Sequence, residues 1–176
     1  MISESTNPRQ HLLHAAARFV ESIKSERGVL RIAMVGSILT DKRNPNDIDL
    51  LVTVAESFEL ERIAAAGRRL KGTAQTKNLG ADIFLANELG QYIGRTCSWK
   101  LCEFGIRRAC RADNCGARKY LNDDLSDLML PVELIKTPPL ILWPKPVINI
   151  NIPKDVMESL LQEQRQGIFN DGASEA

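Results

Sequence analysis

The sequence predicts an α/β protein of the α+β type, because segments with helical periodicity alternate with short apolar runs in the first half of the chain. The order there is helix, strand, strand, helix, strand. A length of 176 residues suits one domain, or one domain with an appendage. The content of 44% hydrophobic and 26% charged residues is typical of globular proteins, and the net charge of +1 argues neither for nor against nucleic acid as a partner.

The first helix and strand are predicted from a cap and two apolar patterns. Asn7 can cap a helix that has Pro8 at its first position. Apolar residues then recur at helical spacing up to the region of Gly28: Leu12, Leu13, Ala16, Phe19, Val20 and Ile23. The run from Val29 to Val35 predicts a buried strand that Gly36-Ser37 ends, and the polar residues 40–46 predict a loop.

The second half of the predicted core repeats the alternation. Asp47 to Val54 reads as the second strand. Ser57 is expected to cap the second helix, whose apolar face carries Leu60, Ile63, Ala64, Gly67 and Leu70. A polar connection at 71–79 leads to the third strand, Ala81 to Ala86. Residues 1–90 therefore form the predicted core.

The remaining residues differ in character. Residues 91–127 are rich in cysteine and basic residues, and residues 128–169 contain many prolines, which restrict a segment to edge strands or extended paths. A short helix is expected from Asp155 to Gln166, followed by a disordered tail at 170–176. No apolar run reaches the roughly 18 residues of a membrane span, and Met1 to Arg9 lacks the features of a secretory signal. We therefore expect a cytoplasmic protein with no membrane partner.

Three aspartates carry most of the functional information. Asp47 and Asp49 head the second predicted strand, and Asp82 lies near the start of the third. Side chains two residues apart point to the same face of a strand, so Asp47 and Asp49 would aim their carboxylates at one point, and a neighbouring strand could bring Asp82 beside them. Converging carboxylates repel one another unless a cation lies between them. The pattern favours a hard divalent cation such as Mg²⁺, which takes oxygen ligands and keeps positions for water and phosphates.

These residues resemble a known family. Val35-Gly36-Ser37, then Asn46-Asp47-Ile48-Asp49-Leu50-Leu51-Val52, then Ala81-Asp82-Ile83-Phe84 are similar to the nucleotidyltransferase superfamily that includes DNA polymerase beta, and above all to its minimal nucleotidyltransferases. The resemblance covers about residues 30–87. It implies a mixed sheet with helices on one side, and Mg-dependent transfer of a nucleoside monophosphate from a nucleoside triphosphate with release of pyrophosphate.

The resemblance also implies roles for individual residues. Gly36 and Ser37 would grip the triphosphate, Asp47 and Asp49 would bind two Mg²⁺ ions, and Asp82 would help to bind metal and activate the acceptor hydroxyl. Many members carry an arginine-rich turn just after Gly-Ser, whereas this chain has Ile38-Leu39-Thr40-Asp41. Lys42 and Arg43 follow and are assigned to the triphosphate in place of that turn.

The cysteines form a second motif. Cys97, Cys102, Cys110 and Cys115 lie in one short stretch, and the chain has no others. Clustered thiols in a cytosolic protein more often bind metal than form disulfides, so we expect a structural Zn²⁺ that stabilises an insert, with four ordinary reduced cysteines as the alternative. The basic residues of 95–119, interleaved with aromatic residues, would suit RNA, or would form a solvated face.

Two classes of function follow. The first is a nucleotidyltransferase whose acceptor is an RNA end, a protein side chain or a small molecule. The second is a catalytically inactive module that binds a nucleotide or a partner protein, as one half of a toxin–antitoxin or defence pair.

Overall fold

A seven-stranded mixed sheet forms the centre of the computed structural model, which describes residues 7–102 and 115–162. The strands are β1 (Val29–Val35), β2 (Asp47–Val54), β3 (Gly80–Asn87), β4 (Tyr92–Thr96), β5 (Leu121–Asn122), β6 (Leu140–Trp143) and β7 (Val147–Ile148). Their order across the sheet is β5-β4-β3-β2-β1-β6-β7. β2 and β3 are parallel, and every other neighbouring pair is antiparallel. The predicted mixed sheet is confirmed.

Within residues 7–102 and 115–162, two long helices and two short ones accompany the sheet: α1 (Pro8–Ile23), α2 (Glu61–Gln75), α3 (Val132–Lys136) and α4 (Lys154–Met157). A 3₁₀ turn spans Ser37–Leu39, and a π-helical turn, Glu158–Gln162, continues α4. The predicted start of α1 is confirmed, since the Asn7 side chain accepts a hydrogen bond of 3.0 Å from the backbone N–H of Arg9. In the described parts of the chain, no helix is both long and apolar enough to cross a membrane.

The two faces of the sheet are covered differently. One face packs on α1, α2 and the C-terminal helical residues, in a core that contains Leu13, Phe19, Ile63, Leu70 and Val156. The other face carries a smaller cluster of Ala33, Val35, Leu51, Phe84, Ala86 and Ile135, and among the described residues α3 and the residues just before it pack on this face. Asp47, Asp49 and Asp82 alternate with core residues along their strands and therefore belong to this second, less covered face.

The second helix departs from the sequence prediction at both ends. Ser57 does not cap it, because residues 55–58 are held to the turn between α1 and β1: the Ala55 N–H donates to the Gly28 carbonyl (2.8 Å), and the Phe58 ring lies against Gly28. The helix begins at Glu61 and continues to Gln75, through most of the predicted polar connection. Gly28 has φ +101°, a conformation that glycine adopts readily.

Later segments also differ from expectation. The cysteine-rich stretch contributes two strands, β4 and β5, to the main sheet. The proline-rich stretch supplies α3 and then β6, which is not an edge strand because it lies between β1 and β7. The predicted C-terminal helix begins at Lys154 and continues through the π-helical turn to Gln162, while residues 163–166 and the predicted tail lie outside the described residues.

Candidate functional site

The parallel pairing of β2 with β3 brings two of the predicted site residues together. Asp49 is the register partner of Asp82, and Asp47 is the partner of Gly80. Neighbouring strands lie about 4.8 Å apart, so the carboxylates of Asp49 and Asp82 are adjacent on one sheet face. Asp47 is exposed, and Asp49 and Asp82 are half-buried. The three carboxylates thus form a short acidic row that solvent can reach.

Gly36 packs directly on this row. It follows the last residue of β1, Val35, which pairs with Asp49. A Cβ atom at position 36 would lie 2.5 Å from Oδ2 of Asp49, closer than non-bonded atoms can approach, and φ is +83°. Only a residue without a side chain lets the backbone come this close to the carboxylate.

Ser37 begins the 3₁₀ turn that leads away from Gly36. Its carbonyl accepts hydrogen bonds from the hydroxyl (2.7 Å) and the N–H (3.0 Å) of Thr40. The predicted Gly-Ser pair and the aspartates therefore lie at the same place on the sheet.

The acidic row is electrostatically strained at its centre. Burial, followed by the nearby charges of Asp47 and Asp82, raises the pKa of Asp49 to about 6. Arg95 partly offsets this increase in the pKa. A carboxylate that ionises with difficulty beside two others is one whose charge a bound cation would stabilise.

Arg95 is a site residue that the sequence reasoning missed. It lies on β4, pairs in register with Phe84, and so shares the face of Asp82. Its Nη1 donates to Oδ1 of Asp82 (3.3 Å), and its Nε lies 2.6 Å from Oδ2 of Asp124. Burial disfavours the charge of Arg95, but Asp82 and Asp124 together raise its pKa. A glycine-containing turn at residues 88–91, followed by Tyr-Ile-Gly-Arg-Thr, was the available hairpin signal.

Asp124 is the second carboxylate that contacts Arg95. Its side chain is fully buried and accepts hydrogen bonds from the Tyr92 hydroxyl at 2.8 and 3.1 Å. This bond, after burial, raises the pKa of Tyr92 far above its usual value, so Tyr92 stays a donor. Arg95 is therefore held between a buried carboxylate and a solvent-accessible one.

Lys42 and Arg43 lie elsewhere. They line a cavity of about 900 Å³ together with Arg9, Lys77 and Asp155, and neither Gly36, Ser37 nor any of the three aspartates lines it. The structure does not bring them to the acidic row, so their contact with a triphosphate stays a prediction.

Arg9 fastens the loop that separates this cavity from the acidic row. It is buried, with Nε 2.5 Å from Asp155, and it donates to the carbonyls of Ile38 (2.7 Å) and Lys42 (3.1 Å). One side chain thus ties α1, the loop after Gly36 and α4 together.

The expected zinc site is not supported. Cys97 is buried, Cys102 and Cys115 are half-buried, and Cys110 lies outside the described residues. Among the described residues, no three His, Cys, Asp or Glu side chains converge as a metal-binding group. Ordinary strand pairing orders this part of the chain instead: the Cys97 N–H donates to the Tyr120 carbonyl (2.8 Å), and Arg95 pairs with Asn122. The aspartates, too, do not form a closed cage of three ligands.

Comparison with known proteins identifies a family. A family model described as a family of unknown function, DUF6932, matches residues 2–114. The chain belongs to DUF6932. The DUF6932 match contains Gly36, the three aspartates and Arg95, whereas Asp124 lies beyond it.

The other comparisons add a distant likeness. One solved structure, spectinomycin adenyltransferase AAD(9) from Enterococcus faecialis with ATP and spectinomycin, is 16% identical to this DUF6932 protein, with a TM-score of 0.39. The match covers 90% of this chain and 67% of that chain. The likeness to a nucleotidyltransferase fold is too distant to carry an argument about activity. No curated protein matches the chain.

Proposed function

We propose that this DUF6932 protein is a metal-dependent nucleotidyltransferase, which moves a nucleoside monophosphate from a nucleoside triphosphate to an acceptor hydroxyl and releases pyrophosphate. The observation that carries the proposal is the pairing of Asp49 with Asp82 under the backbone of Gly36. It joins, at one point of the fold, the Gly-Ser pair and the aspartates on which the family resemblance depends.

The donor set of the acidic row fits Mg²⁺. All its donors are carboxylate oxygens, which this cation prefers, and one or two carboxylates are enough when phosphates and water complete the coordination. When bound, Mg²⁺ neutralises charge on the phosphates and on the reacting oxygens.

In this proposal each residue of the site has a separate role. Asp47 and Asp49 hold the metal. Gly36 lets its backbone approach the triphosphate, and the Ser37 hydroxyl donates to a phosphate oxygen. Asp82 binds metal and helps to accept the proton of the acceptor hydroxyl. Each role belongs to a side chain or backbone group where the central strands β1, β2 and β3 begin or end, on the second sheet face.

The acceptor stays open among an RNA end, a protein side chain and a small molecule. The basic segment 95–119 was the reason to expect RNA. Within the described part of that segment, Arg95 pairs with carboxylates, Arg118 donates to the Phe58 carbonyl, and Lys119 lies over the Tyr120 ring. Arg95 and Arg118 thus have partners inside the protein, whereas Lys119 and Lys100 are exposed and keep their charge at the surface.

A second candidate is a catalytically inactive module that binds a nucleotide or a partner protein, as in a toxin–antitoxin or defence pair. One observation favours it: Arg95 lies on Asp82, where a catalytic site would use that carboxylate for metal or proton transfer.

Transfer activity distinguishes the two candidates. The protein is incubated with each α-³²P-labelled nucleoside triphosphate and Mg²⁺ or Mn²⁺, in the presence of pooled RNA, protein extract or small-molecule acceptors, and label transfer and pyrophosphate are measured. We expect transfer by the wild type and none by Asp49→Asn. Asp127→Asn, which removes an exposed carboxylate outside the site, is the matched control and should keep full activity. Triphosphate binding without any transfer or pyrophosphate release would favour the inactive module.

A further inference from the structure

Arg95 contacts two carboxylates, one buried and one partly exposed to solvent. Its Nε lies 2.6 Å from Oδ2 of Asp124, which is 0% exposed, as an ion pair without hydrogen-bond geometry, while its Nη1 donates a hydrogen bond to Asp82, whose side chain is 38% exposed. Tyr92 also donates to Asp124, and the Asp124 carbonyl accepts from the N–H groups of Asp127 and Leu128 (2.9 and 2.8 Å). The buried carboxylate is therefore held in place by its own partners and makes the shorter contact with Arg95 (2.6 Å), whereas the contact with Asp82 is longer (3.3 Å) and more open to solvent.

The free end of the guanidinium faces a place that ligands can reach. The Arg95 side chain is 33% exposed. Its Nη2 donates no hydrogen bond to any of the residues that the structure describes. A guanidinium presents its donors as a planar fork, so anchoring through Nε leaves the two terminal nitrogens able to bind a phosphate together. A small rotation, with the Nε anchor kept, exchanges a carboxylate for a phosphate.

We propose that Arg95 is a triphosphate-binding residue that couples nucleotide binding to metal binding: it holds Asp82 while the site is empty, and it turns its terminal nitrogens to the triphosphate once a cation takes over that carboxylate. This inference rests on the proposed function. It explains why an arginine lies beside the carboxylates of the acidic row without requiring that the site be inactive.

The positive charge of Arg95 affects metal binding and triphosphate binding in opposite directions. A fixed positive charge beside the acidic row repels a bare divalent cation, so Arg95 weakens metal binding in the absence of nucleotide. The same charge attracts a magnesium triphosphate complex, which is negative, so Arg95 strengthens its binding. Removal of Arg95 should therefore move the two affinities in opposite directions. A residue that merely kept the site in shape would move both affinities downward.

The test measures both affinities in the same variants. Mn²⁺ binding is titrated without nucleotide by electron paramagnetic resonance, and inorganic triphosphate binding is titrated with saturating Mg²⁺ by calorimetry, which makes the result independent of the unknown base. For Arg95→Gln we expect Mn²⁺ affinity to rise roughly two- to fivefold and triphosphate affinity to fall roughly ten- to a hundredfold. For Arg95→Lys, which keeps the charge but loses the fork, we expect nearly unchanged Mn²⁺ affinity and weaker triphosphate binding.

Arg31→Gln is the matched control. Arg31 is another half-buried arginine of the sheet, and it donates hydrogen bonds to the Thr53 hydroxyl and to the Lys136 carbonyl. The substitution removes its positive charge. It should leave both affinities unchanged.

The outcomes are separable. A parallel loss of both affinities in Arg95→Gln and Arg95→Lys, or no change in either, overturns the inference and leaves the proposed function standing. A wild-type protein that binds neither Mn²⁺ nor triphosphate overturns the proposed function and this inference together. If Arg95→Gln does not fold, Arg95→Lys decides alone, because only the coupling role separates triphosphate affinity from Mn²⁺ affinity.

Discussion

Ionisation of Asp49 is the main electrostatic cost to the stability of the acidic row. Its pKa rises from 3.8 to about 6 because it is partly buried and has Asp47 and Asp82 beside it. Between these two pH values the folded protein holds a proton that the unfolded chain has already released, so the free energy of unfolding decreases as the pH rises through this interval. Above pH 6 the full cost is present unless a cation binds.

Replacement of Asp49 by Asn should therefore stabilise the protein at neutral pH in the absence of divalent ions. Without screening, a shift of about two pKa units corresponds to about 3 kcal/mol, and solvent access to this half-buried carboxyl reduces the expected gain to about 1–2 kcal/mol. The gain should disappear below pH 4, where wild-type Asp49 is protonated as well. Urea unfolding of both proteins at pH 3.5 and 7.5 measures this. An Asn variant that is less stable than the wild type at pH 7.5 would contradict the electrostatic account.

The position of Arg95 shows what sequence alone cannot reach. The three aspartates were found because each sits beside an apolar run, and strand periodicity gives their face. Arg95 meets Asp82 only through the register of β3 with β4, and it meets Asp124 only through a contact 29 positions along the chain that no local pattern encodes. Its neighbours in sequence, cysteines and other basic residues, indicated a separate insert instead.

The loop after Gly36 depends on two helices that are far from it in sequence. Arg9, near the start of α1, donates to two of the loop's carbonyls and pairs with Asp155 of α4. A polar side chain in such a buried place is maintained by its partners, and loss of the arginine leaves a carboxylate and two carbonyls without them. The conformation of the Gly-Ser segment is thus set partly from outside the sheet.

We expect Arg9→Gln to lower the free energy of unfolding by about 2–3 kcal/mol and to increase hydrogen exchange at residues 37–43. Arg18→Gln, which changes an exposed arginine on the same helix, should alter the stability by less than about 0.5 kcal/mol. Chemical denaturation and exchange mass spectrometry measure the two effects. Equal stability of the Arg9 and Arg18 variants would show that the tether does not stabilise the loop.

The elements of the core were predictable where local signals agreed. β1 and β2 have the predicted bounds because each apolar run ends at glycine or begins at aspartate. The start of α2 was predicted wrongly because the contact of residues 55–58 with Gly28, a tertiary feature, overrides the capping preference of Ser57. β4 was missed because it contains Gly94, which is unfavourable in a strand by local preference. Gly94 has φ +127°, and a Cβ there would lie 2.3 Å from the Asn122 carbonyl, so the reason for the glycine is a contact with a residue distant in sequence.

The whole molecule combines a well-covered centre with lightly covered edges. β1, β2 and β3 have neighbours on both sides and a helical layer on one face, whereas β5 and β7 are two-residue strands at the ends of the sheet. Local opening free energies follow such differences in burial. The acidic row lies in the central part of the sheet, and its frame is therefore stable even where the covering of its face is thin.

Native-state hydrogen exchange should show this gradient. Amides of Ile32 to Met34 and Leu50 to Val52 should exchange only through global unfolding, while those of β5 and β7 should exchange through local opening at least about 2 kcal/mol below the global value. Exchange followed by nuclear magnetic resonance at low denaturant concentration measures the difference. Equal protection of β7 and β2 would contradict the distinction between centre and edge.

The close approach of Gly36 to Asp49 offers a way to sort the DUF6932 family from sequence. No substituent fits between the backbone at this position and the carboxylate, since a Cβ atom would lie 2.5 Å from the nearest oxygen. A member with alanine or any larger residue there has to move the carboxylate or bend the end of β1. Such a chain can keep its aspartates in the alignment and still lack the arrangement described here. The residue at this position therefore divides the family, before any protein is purified, into members with glycine and members with a larger residue.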